Sequence, residues 1–408
     1  MNGAIRLAIV VQAGWSTISL SMKSLGVYIQ VPFCQTRCTY CNFHTGVVAR
    51  GRYKPYADAV SREIREVFAA KPDAVVGATV DSVYFGGGTP SLLEPVSLKQ
   101  ILDALRAGIA FAGSGAGVEV TLEADPETIT LEKARAWREA AFNRVSLGVQ
   151  SFDDRELQAA GRMHRREHIA AANEALRAAG FSNVSMDLIA GLAHQTSESW
   201  SRSLDELIAI GPEHISIYML EIDEGSRLGK ELLADGSRYS ANAVPSPDES
   251  CDFYEAACAR LAGAGYEHYE ISNWAKPGYR SRHNLKYWQR VPYLGFGAGA
   301  HSFDSTKRWA NVHDSAEYVS RIERGETVRE QIEPVTVGQA LEEEIFLGLR
   351  QLDGIDFARI EREYDVAELR ERVDSLASQG LLQRDGANVR LAPDRLAVSN
   401  EIFSELLA

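Results

Sequence analysis

Apolar residues recur at two different spacings along the chain, and these predict strands and helices in alternation. Stretches with a period of two predict strands at 27–31, 82–85, 118–123, 144–149, 184–189 and 214–220. Stretches with helical spacing predict helices at 56–70, 97–110, 131–141, 168–179 and 199–208. In the fourth of these helices the apolar spacing ends just before Gly180, a typical C-terminal cap.

Six strand-then-helix units in succession predict an α/β fold with a parallel sheet and right-handed crossovers. Because there are six units rather than eight, we expect a partial (β/α)6 barrel of the TIM type over residues 25–235. In such barrels the residues that act on a ligand lie at the carboxyl ends of the strands. The chemistry of this chain is therefore expected in the loops that follow each strand.

Three further segments flank this core. Residues 1–24 are interpreted as a dispensable extension, with Met22 as an alternative start, because the apolar run at 5–20 is interrupted by polar residues and too short to span a bilayer. Residues 236–334 begin with a loop rich in Gly, Ser and Pro and then become dense in aromatic residues, His and Gly. Residues 335–408 predict helices at 338–349 and 355–376, the second broken near Tyr364, and then a hairpin at 380–391. This order indicates a small winged-helix-like α+β domain.

Charge limits the partners that this chain can have. The 408 residues carry a formal net charge of −13, which argues against nucleic acid or an anionic membrane as the main partner. Residues 335–408 hold fifteen acidic and eight basic residues, so the winged-helix-like domain is interpreted as a lid or docking module rather than a DNA reader. Five cysteines, three of them in one loop, indicate a reducing compartment, and we expect the cytoplasm.

The three clustered cysteines follow the first predicted strand. Cys34, Cys38 and Cys41 have the spacing C-x3-C-x2-C, and thiolates this close together are typical metal ligands. A structural zinc would need a fourth ligand, and His44 is available three residues later. An iron–sulfur cube can instead take three cysteines and leave its fourth iron open. We favour the cube because the other strand ends supply the parts of a cofactor site.

Each later strand also ends in residues suited to binding a ligand. The second is followed by Gly86-Gly87-Gly88-Thr89-Pro90, where absent side chains let the backbone approach a ligand. The third strand ends in the carboxylate of Glu123, the fourth ends in the amide of Gln150 and the fifth carries the carboxylate of Asp187. The guanidinium of Arg162 lies between the fourth and fifth strands. For Asp187 and Gln150 the alternative is a polar network that is satisfied within the barrel.

The cysteine spacing and these strand ends together resemble the coproporphyrinogen III dehydrogenase group of the radical SAM superfamily, across residues 25–408. The resemblance implies a 4Fe–4S cluster on Cys34, Cys38 and Cys41, with S-adenosyl-L-methionine (SAM) bound beside it. The SAM pocket would be lined by Tyr28, Gly87, Gly88, Thr89, Glu123, Gln150, Arg162 and Asp187, with Tyr40 next to the cluster.

The aromatic segment narrows this resemblance. Flat rings and imidazoles suit a porphyrin, and the alternative is an aromatic core that closes the open side of the barrel. His283-Asn284-x-x-Tyr287-Trp288 resembles the HNxxYW motif of the heme-chaperone branch of the family, and Phe43 stands where the dehydrogenases carry another cysteine. The resemblance therefore implies heme as a third cofactor, with His283 in the heme region and His268 or His301 as alternative ligands.

Two functions follow from the resemblance. The first is a heme chaperone that binds SAM at its cluster, holds heme and passes it to an acceptor. The second is an oxygen-independent coproporphyrinogen III oxidase that decarboxylates its substrate by radical chemistry. The expected partners are heme, heme-accepting proteins and an electron donor for the cluster, with peripheral membrane contact as a further candidate and no nucleic acid.

Overall fold

The computed structural model describes residues 23–72, 75–113 and 117–407. Six parallel strands form its centre: β1 (Lys23–Val31), β2 (Ala78–Gly87), β3 (Glu119–Ala124), β4 (Arg144–Gln150), β5 (Val184–Ala190) and β6 (His214–Met219). The helices between them are α1 (Tyr53–Ala69), α2 (Pro95–Gly108), α3 (Leu131–Glu139), α4 (Asp154–Ala159), α5 (Arg166–Ala178) and α6 (Ser197–Ile210). The alternation predicted from the sequence is confirmed, with the short helix α4 as an addition that the apolar spacing did not reveal.

The six strands pair in chain order, and every pair is parallel. Their carboxyl ends therefore lie together at one end of the barrel, which we call the rim and which includes Val31, Gly87 and Gln150. Their amino ends lie at the other end, which we call the floor and which includes Glu119, Arg144 and His214.

Short strands extend this sheet at both edges, so the barrel stays open. Beyond β1 lie β9 (Tyr293–Phe296), which is parallel to it, and then β10 (His301–Phe303), β11 (Lys307–Asn311) and β12 (Arg329–Pro334), which are antiparallel. Beyond β6 lie the antiparallel strands β8 (Asn273–Ala275) and β7 (Glu267–Glu270). The intervening helices are α7 (Arg227–Leu233), α8 (Pro247–Gly263), α9 (Arg282–Trp288) and α10 (Ser315–Arg324).

The two faces of the parallel strands differ in polarity. In β1, Val27, Ile29 and Val31 are fully buried in the main hydrophobic core. Burying each such side chain contributes about 1.5–3 kcal/mol. The alternate residues Tyr28 and Gln30 face the barrel interior, where the hydroxyl of Tyr28 donates to the amide oxygen of Gln30. A barrel with a polar interior is suited to holding a ligand rather than to packing against itself.

The C-terminal segment folds as the expected small winged-helix-like domain. It contains α11 (Val337–Gly348), β13 (Ile355–Asp356), α12 (Phe357–Glu363), α13 (Ala367–Ser378), β14 (Leu382–Asp385), β15 (Asn388–Leu391) and α14 (Ser399–Leu407). The three strands form an antiparallel sheet in the order β13-β15-β14. The predicted helix break falls at Tyr364, which caps α12, and Gly386 takes the left-handed conformation (φ 59°) that the predicted Asp-Gly turn needs.

The interpretation of residues 1–24 as an extension concerns residues that lie largely outside the described ones. Residues 1–22 are not described, and the expectation for them stays a prediction. Lys23 and Ser24 already belong to β1, where the Ser24 hydroxyl donates to Asp81 at 2.8 Å. Across the described ranges, no helix is both long and apolar enough to cross a lipid bilayer.

Candidate functional site at the barrel rim

The cysteine loop leaves β1 at Pro32 and is held by backbone hydrogen bonds at both ends. Gly46 N–H donates to the carbonyl of Pro32 at 2.8 Å, and Cys34 N–H donates to the carbonyl of Gly46 at 3.1 Å. Between these points Cys34, Cys38 and Cys41 are all half-buried free thiols. The loop is thus closed at its base, while the cysteines stand where β1 ends.

The surroundings of the thiols favour a cationic partner. Burial raises the pKa of Cys34 to about 11 and also raises the pKa of Cys41, so thiolates there need a compensating positive charge. Arg162 supplies part of it, since its Nη1 donates to the sulfur of Cys38 at 3.5 Å. Three such thiols beside a guanidinium fit a soft metal centre.

The spacing of possible ligands distinguishes a cluster from a single ion. Thiolates on one tetrahedral zinc would lie about 3.8 Å apart, given Zn–S bonds of about 2.3 Å. Among the described residues, no three His, Cys, Asp or Glu side chains come close enough to hold one metal ion. The His44 ring instead packs against His313, with ring centroids 4.3 Å apart. His44, the expected fourth zinc ligand, therefore contacts another ring, whereas a cube needs only the three cysteines.

Glycine is required at the end of β2 because neighbouring groups lie too close to its backbone to leave room for a Cβ atom. Gly87 has φ 106°, and a Cβ there would lie 2.4 Å from the side-chain amide of Gln30. A Cβ on Gly88 would lie 2.5 Å from the carbonyl oxygen of Phe33. Thr89 N–H donates to that same carbonyl at 2.7 Å. The run therefore brings the end of β2 directly against the cysteine loop, as its composition predicted.

Two carboxyl groups face the interior just below the rim. Glu123 accepts from the Tyr84 hydroxyl at 2.7 Å and from Gly87 N–H at 3.1 Å. Burial raises the pKa of Glu123 to about 7, and the nearby charge of Asp187 contributes. Burial also raises the pKa of Asp187, which accepts from the Ser146 hydroxyl at 3.3 Å. Both groups can thus accept hydrogen bonds from hydroxyl or ammonium groups of a ligand.

Arg162 connects the cysteine loop with the third and fourth strands. It forms an ion pair with Asp125 and donates to the carbonyl of Gly148 at 2.9 Å. Asp125 in turn accepts from the Thr89 hydroxyl at 2.9 Å. Because Gly148 has no side chain, the guanidinium fits where a Cβ would lie 3.0 Å from its nitrogen. The guanidinium is therefore fixed in position by the cysteine loop, by Asp125 after β3 and by Gly148 within β4.

The structure brings most of the predicted SAM-site residues together. Gln150 ends β4 with a left-handed φ of 65°, a conformation that is uncommon outside glycine. Tyr40 packs on Ala160, Ile189 and Leu192 below the cysteine loop. Tyr28 lies deeper, with its ring centroid 6.1 Å from that of Tyr84. At the rim or just below it lie Cys34, Cys38, Cys41, Tyr40, Gly87, Gly88, Thr89, Glu123, Gln150, Arg162 and Asp187.

His283 is the exception, because the structure places it at the floor. It is fully buried, and its backbone N–H donates to Glu119, the first residue of β3, at 3.2 Å. Its Nδ1 is 3.1 Å from the Ser82 hydroxyl, and its Nε2 is 2.9 Å from the Tyr287 hydroxyl. Burial lowers the pKa of His283 to about 3. Both ring nitrogens are engaged in the described structure, and the assignment of His283 to the heme region stays a prediction.

The rest of the HNxxYW motif attaches the C-terminal domain to this floor. The guanidinium of Arg350 lies 4.7 Å from the ring centroid of Trp288. Two residues beyond the motif, Arg290 forms an ion pair with Glu343 of α11 at 2.9 Å. The helix α9 therefore seals the floor and carries the contact between two parts of the chain. This arrangement corresponds to the aromatic core considered as an alternative, although it closes an end of the barrel and not its open side.

The structure places the two alternative histidines, His268 and His301, in different environments. His268 stacks on Trp274 at 4.0 Å, and its Nε2 is 3.2 Å from the carbonyl of Ile271. His301 instead begins β10 with an exposed side chain, near the rim end of β9. Of His268, His283 and His301, only His301 has a side chain that is exposed near the rim.

Some residues of the site were not predicted from the sequence. Tyr84 holds Glu123, Asp125 joins Arg162 to Thr89, and Tyr218 is 44% exposed within electrostatic range of Asp187. The period-two pattern of β2 contained a signal for Tyr84, since it shares a face with Ser82 and Gly86. The role of Asp125 depends on where the distant Arg162 lies, and no local pattern gives that.

Comparisons with known proteins agree with this geometry. The family model described as the Radical SAM superfamily matches residues 28–207, and the HemN C-terminal domain matches residues 335–394. The heme chaperone HemW of Bacillus subtilis is 33% identical over 95% of this chain and 99% of its own. The HemW of Mycobacterium tuberculosis is 35% identical over 94% of this chain and 95% of its own.

A solved structure shows the same fold. The coproporphyrinogen III oxidase HemN from Escherichia coli superposes with a TM-score of 0.80, covering 94% of this chain and 90% of its own. Its sequence is 24% identical to this chain, so the likeness establishes the architecture. The partial barrel with a small C-terminal domain is thereby confirmed.

Proposed function

This chain belongs to the HemW family of radical SAM proteins, and from that membership we propose that it binds heme and delivers it to acceptor proteins. The observation that carries the proposal is that the similarity to heme chaperones extends over nearly the whole chain, at 33–35% identity over 94–95% of its residues. Similarity of that extent covers the barrel, the aromatic segment and the C-terminal domain together. The proposal therefore concerns the whole chain.

The rim residues support SAM and a 4Fe–4S cluster as cofactors. Cys34, Cys38 and Cys41 would hold the cluster, which when bound supplies an open iron for SAM and an electron for its reduction. The glycine run would present its backbone to the methionine part of SAM, and Arg162 would pair with a carboxylate. Glu123, Gln150 and Asp187 would accept from hydroxyl and amino groups. The raised pKa values of both carboxyls fit a site whose charge is completed by a ligand.

The oxidase alternative has less support. Phe43 stands where the resemblance places a further cysteine in the dehydrogenases, and its side chain is 67% exposed at the rim. A phenyl ring cannot ligate a metal or donate a hydrogen atom as a thiol can. The likeness to the solved oxidase, at 24% identity, concerns the fold alone.

The remaining partners are also part of the proposal. An electron donor would reduce the cluster, and a hemoprotein would accept the heme. Peripheral membrane contact would serve acceptors that lie at a membrane. All five cysteines are free thiols, which suits a reducing compartment such as the cytoplasm.

The test is anaerobic reconstitution with iron and sulfide, followed by heme titration with and without SAM. We expect stoichiometric heme binding, seen as a Soret band, and heme transfer to an apo-hemoprotein. The same preparation is assayed for decarboxylation of coproporphyrinogen III. Turnover of that porphyrinogen without heme transfer would favour the oxidase and contradict the proposal.

A further inference from the structure

Arg144 places a buried positive charge inside the barrel. It begins β4, and its side chain is 2% exposed. Its Nε is buried without a hydrogen-bond partner, and in the part of the chain that the structure describes no carboxylate forms an ion pair with its guanidinium. The buried cation Lys286 differs, because it forms an ion pair with Asp81 at 2.6 Å. Removing a guanidinium from water is costly, and direct contact with a carboxylate does not offset that cost at Arg144.

Strand register places Arg144 below the two carboxyls of the candidate SAM site. Side chains two residues apart on a strand share a face, so Arg144 shares the interior face of β4 with Ser146. The Ser146 hydroxyl donates to Asp187 of β5 at 3.3 Å, and Ser146 is the register partner of Glu123 in β3. Arg144 therefore lies one interior position nearer the floor than Glu123 and Asp187.

The guanidinium acts on these neighbours through space. Burial raises the pKa of Asp187, and the charge of Arg144 acts in the opposite direction. Burial also raises the pKa of Tyr84, which donates to Glu123 at 2.7 Å, and Arg144 again acts against the rise. A positive charge near a buried carboxyl favours its ionised form. Arg144 thus favours the ionised form of Asp187 without touching it.

The other groups around Asp187 do not supply this positive charge. Those that face it from neighbouring strands are hydroxyls, phenols and one carboxyl, namely Ser146, Ser185, Ser216, Tyr84, Tyr218 and Glu123. Burial raises the pKa values of both phenols, so neither is charged near neutral pH. At the floor, burial lowers the pKa values of His214 and His283, so both are neutral. Of the described cations, Arg144 has the largest effect on Asp187.

The charge of SAM gives this cation a role. SAM carries a sulfonium, an ammonium and a carboxylate, and therefore a single net positive charge. With Asp187 and Glu123 ionised, Arg144 leaves the interior with a single net negative charge, which complements that of SAM. Without Arg144, repulsion between the two carboxylates would favour protonation of one of them.

We propose that Arg144 is a positioning residue for SAM, whose buried positive charge keeps Asp187 ionised at neutral pH so that Asp187 can accept hydrogen bonds from the cofactor. This inference rests on the proposed function, because SAM is one of its cofactors. Arg144 acts through Asp187 and does not contact SAM itself.

The first test is the pH profile of SAM affinity, measured by calorimetry on the reconstituted full chain between pH 6 and pH 9. Arg144→Met and Arg144→Gln remove the charge, and each should bind SAM about tenfold more weakly than the parent at pH 7. The deficit relative to the parent should shrink as the pH rises, because Asp187 then ionises without the guanidinium. Arg144→Lys keeps the charge and should follow the parent's profile. Iron content confirms that each variant holds its cluster.

The second test needs neither SAM nor the cluster. A carboxyl with a raised folded pKa contributes stability that is fully present below its unfolded pKa and is lost as the pH rises through the folded pKa. Because Arg144→Met removes the charge that opposes the rise, its apoprotein should lose more stability between pH 5 and pH 8 than the parent does. This excess should shrink when both proteins also carry Asp187→Asn. Chemical denaturation measures it.

Two outcomes would overturn the inference, and they differ in what else they contradict. If the neutral variants weaken SAM binding equally at every pH, or do not weaken it, Arg144 has a structural role alone and the proposed function still stands. If the parent itself binds no SAM, the proposed cofactor and this inference both fail. An excess loss of stability that is unchanged by Asp187→Asn would also overturn the inference, since Arg144 would then act on another group.

Discussion

The rim and the floor of the barrel differ in the kinds of titratable group that they bury and in how their histidines are paired. At the floor, His214 contacts the Ser185 hydroxyl at 2.8 Å through Nδ1 and the Tyr269 hydroxyl at 2.7 Å through Nε2, and His283 is paired in the same manner. At the rim, burial raises the pKa values of Glu123, Asp187 and two thiols, and His313 keeps an unpaired nitrogen.

The raised pKa values of carboxyls and thiols at the rim are typical of a site whose charge is completed by a ligand. The two floor histidines are paired without a ligand and contribute stability, as expected for the amino end of a barrel, while Nε of Arg144 and Nε1 of Trp288 are buried there without a hydrogen-bond partner. The presence of histidine and aromatic residues in a motif did not by itself distinguish the two ends.

The largest effect is expected at the cysteine loop. Replacing Cys34, Cys38 or Cys41 by Ala should abolish the cluster, because the fold offers no other thiol nearby among the described residues. Iron and acid-labile sulfide content after anaerobic reconstitution measures this. Cys258→Ala is the control, since Cys258 lies on α8, and it should retain full iron and sulfide. Retention of a full cluster in any of the three variants would contradict the assignment of the cluster to the cysteines at the rim.

At the floor, the effect should fall on stability. His283→Ala leaves the hydroxyls of Ser82 and Tyr287 without their buried partner, and should lower the free energy of unfolding by about 2–5 kcal/mol. Chemical denaturation of the apoprotein provides the measurement. The matched rim variant His44→Ala removes an exposed ring and should change stability by about 0.5 kcal/mol or less. Equal losses of unfolding free energy in the two variants would contradict the expectation that the floor histidine contributes more to stability than the rim histidine.

Binding of SAM should depend on the rim charges. Arg162→Ala and Asp187→Asn each remove a charge-assisted hydrogen bond, which contributes about 1.5–3 kcal/mol, or roughly tenfold to a hundredfold in affinity. Calorimetric titration of reconstituted protein measures the affinity, with iron content confirming that the cluster has formed. The exposed Arg166 on α5 pairs with Glu206, so Arg166→Ala should bind SAM like the parent. Parent-like affinity in both rim variants would show that SAM binds elsewhere.

The smallest effect concerns the pH dependence of stability. The pKa of Glu123 is raised to about 7 in the folded state by burial, against about 4.3 in an unfolded chain. Its contribution to stability is fully present below the unfolded pKa and is lost as the pH rises through the folded pKa. Between pH 5 and pH 8 the apoprotein should therefore lose on the order of 1–3 kcal/mol more than Glu123→Gln. Parallel pH profiles for the two proteins would contradict the raised pKa.

Local patterns were sufficient for much of the fold. The period-two strands and their glycine-terminated helices predicted six β–α units, and the Asp385-Gly386 turn predicted the C-terminal hairpin. The rule that ligands bind at strand carboxyl ends also grouped Gly87, Glu123 and Asp187, which lie near one another in the structure. These features depend on residues within one or two elements, which is why a single sequence reveals them.

What the sequence could not show is how distant residues meet. His283 contacts Ser82, which is 201 positions away in the sequence. No rule of residue spacing predicts that His283 lies at the floor. His44, in the loop after β1, packs on His313, which follows β11, and this contact depends on β9 adding to the edge of β1. Edge pairing carries little sequence signal in short strands, so the contact between His44 and His313 could not be predicted.

The most direct test of the account is amide hydrogen exchange of the reconstituted protein with and without SAM. If the rim is the ligand site and the floor is structural, SAM should slow exchange in peptides from the cysteine loop, from residues 86–90 and from residues 123–126. Exchange in the α9 peptide, residues 282–288, should be slow already and unchanged by SAM. Protection of α9 with no change at the rim would contradict the account.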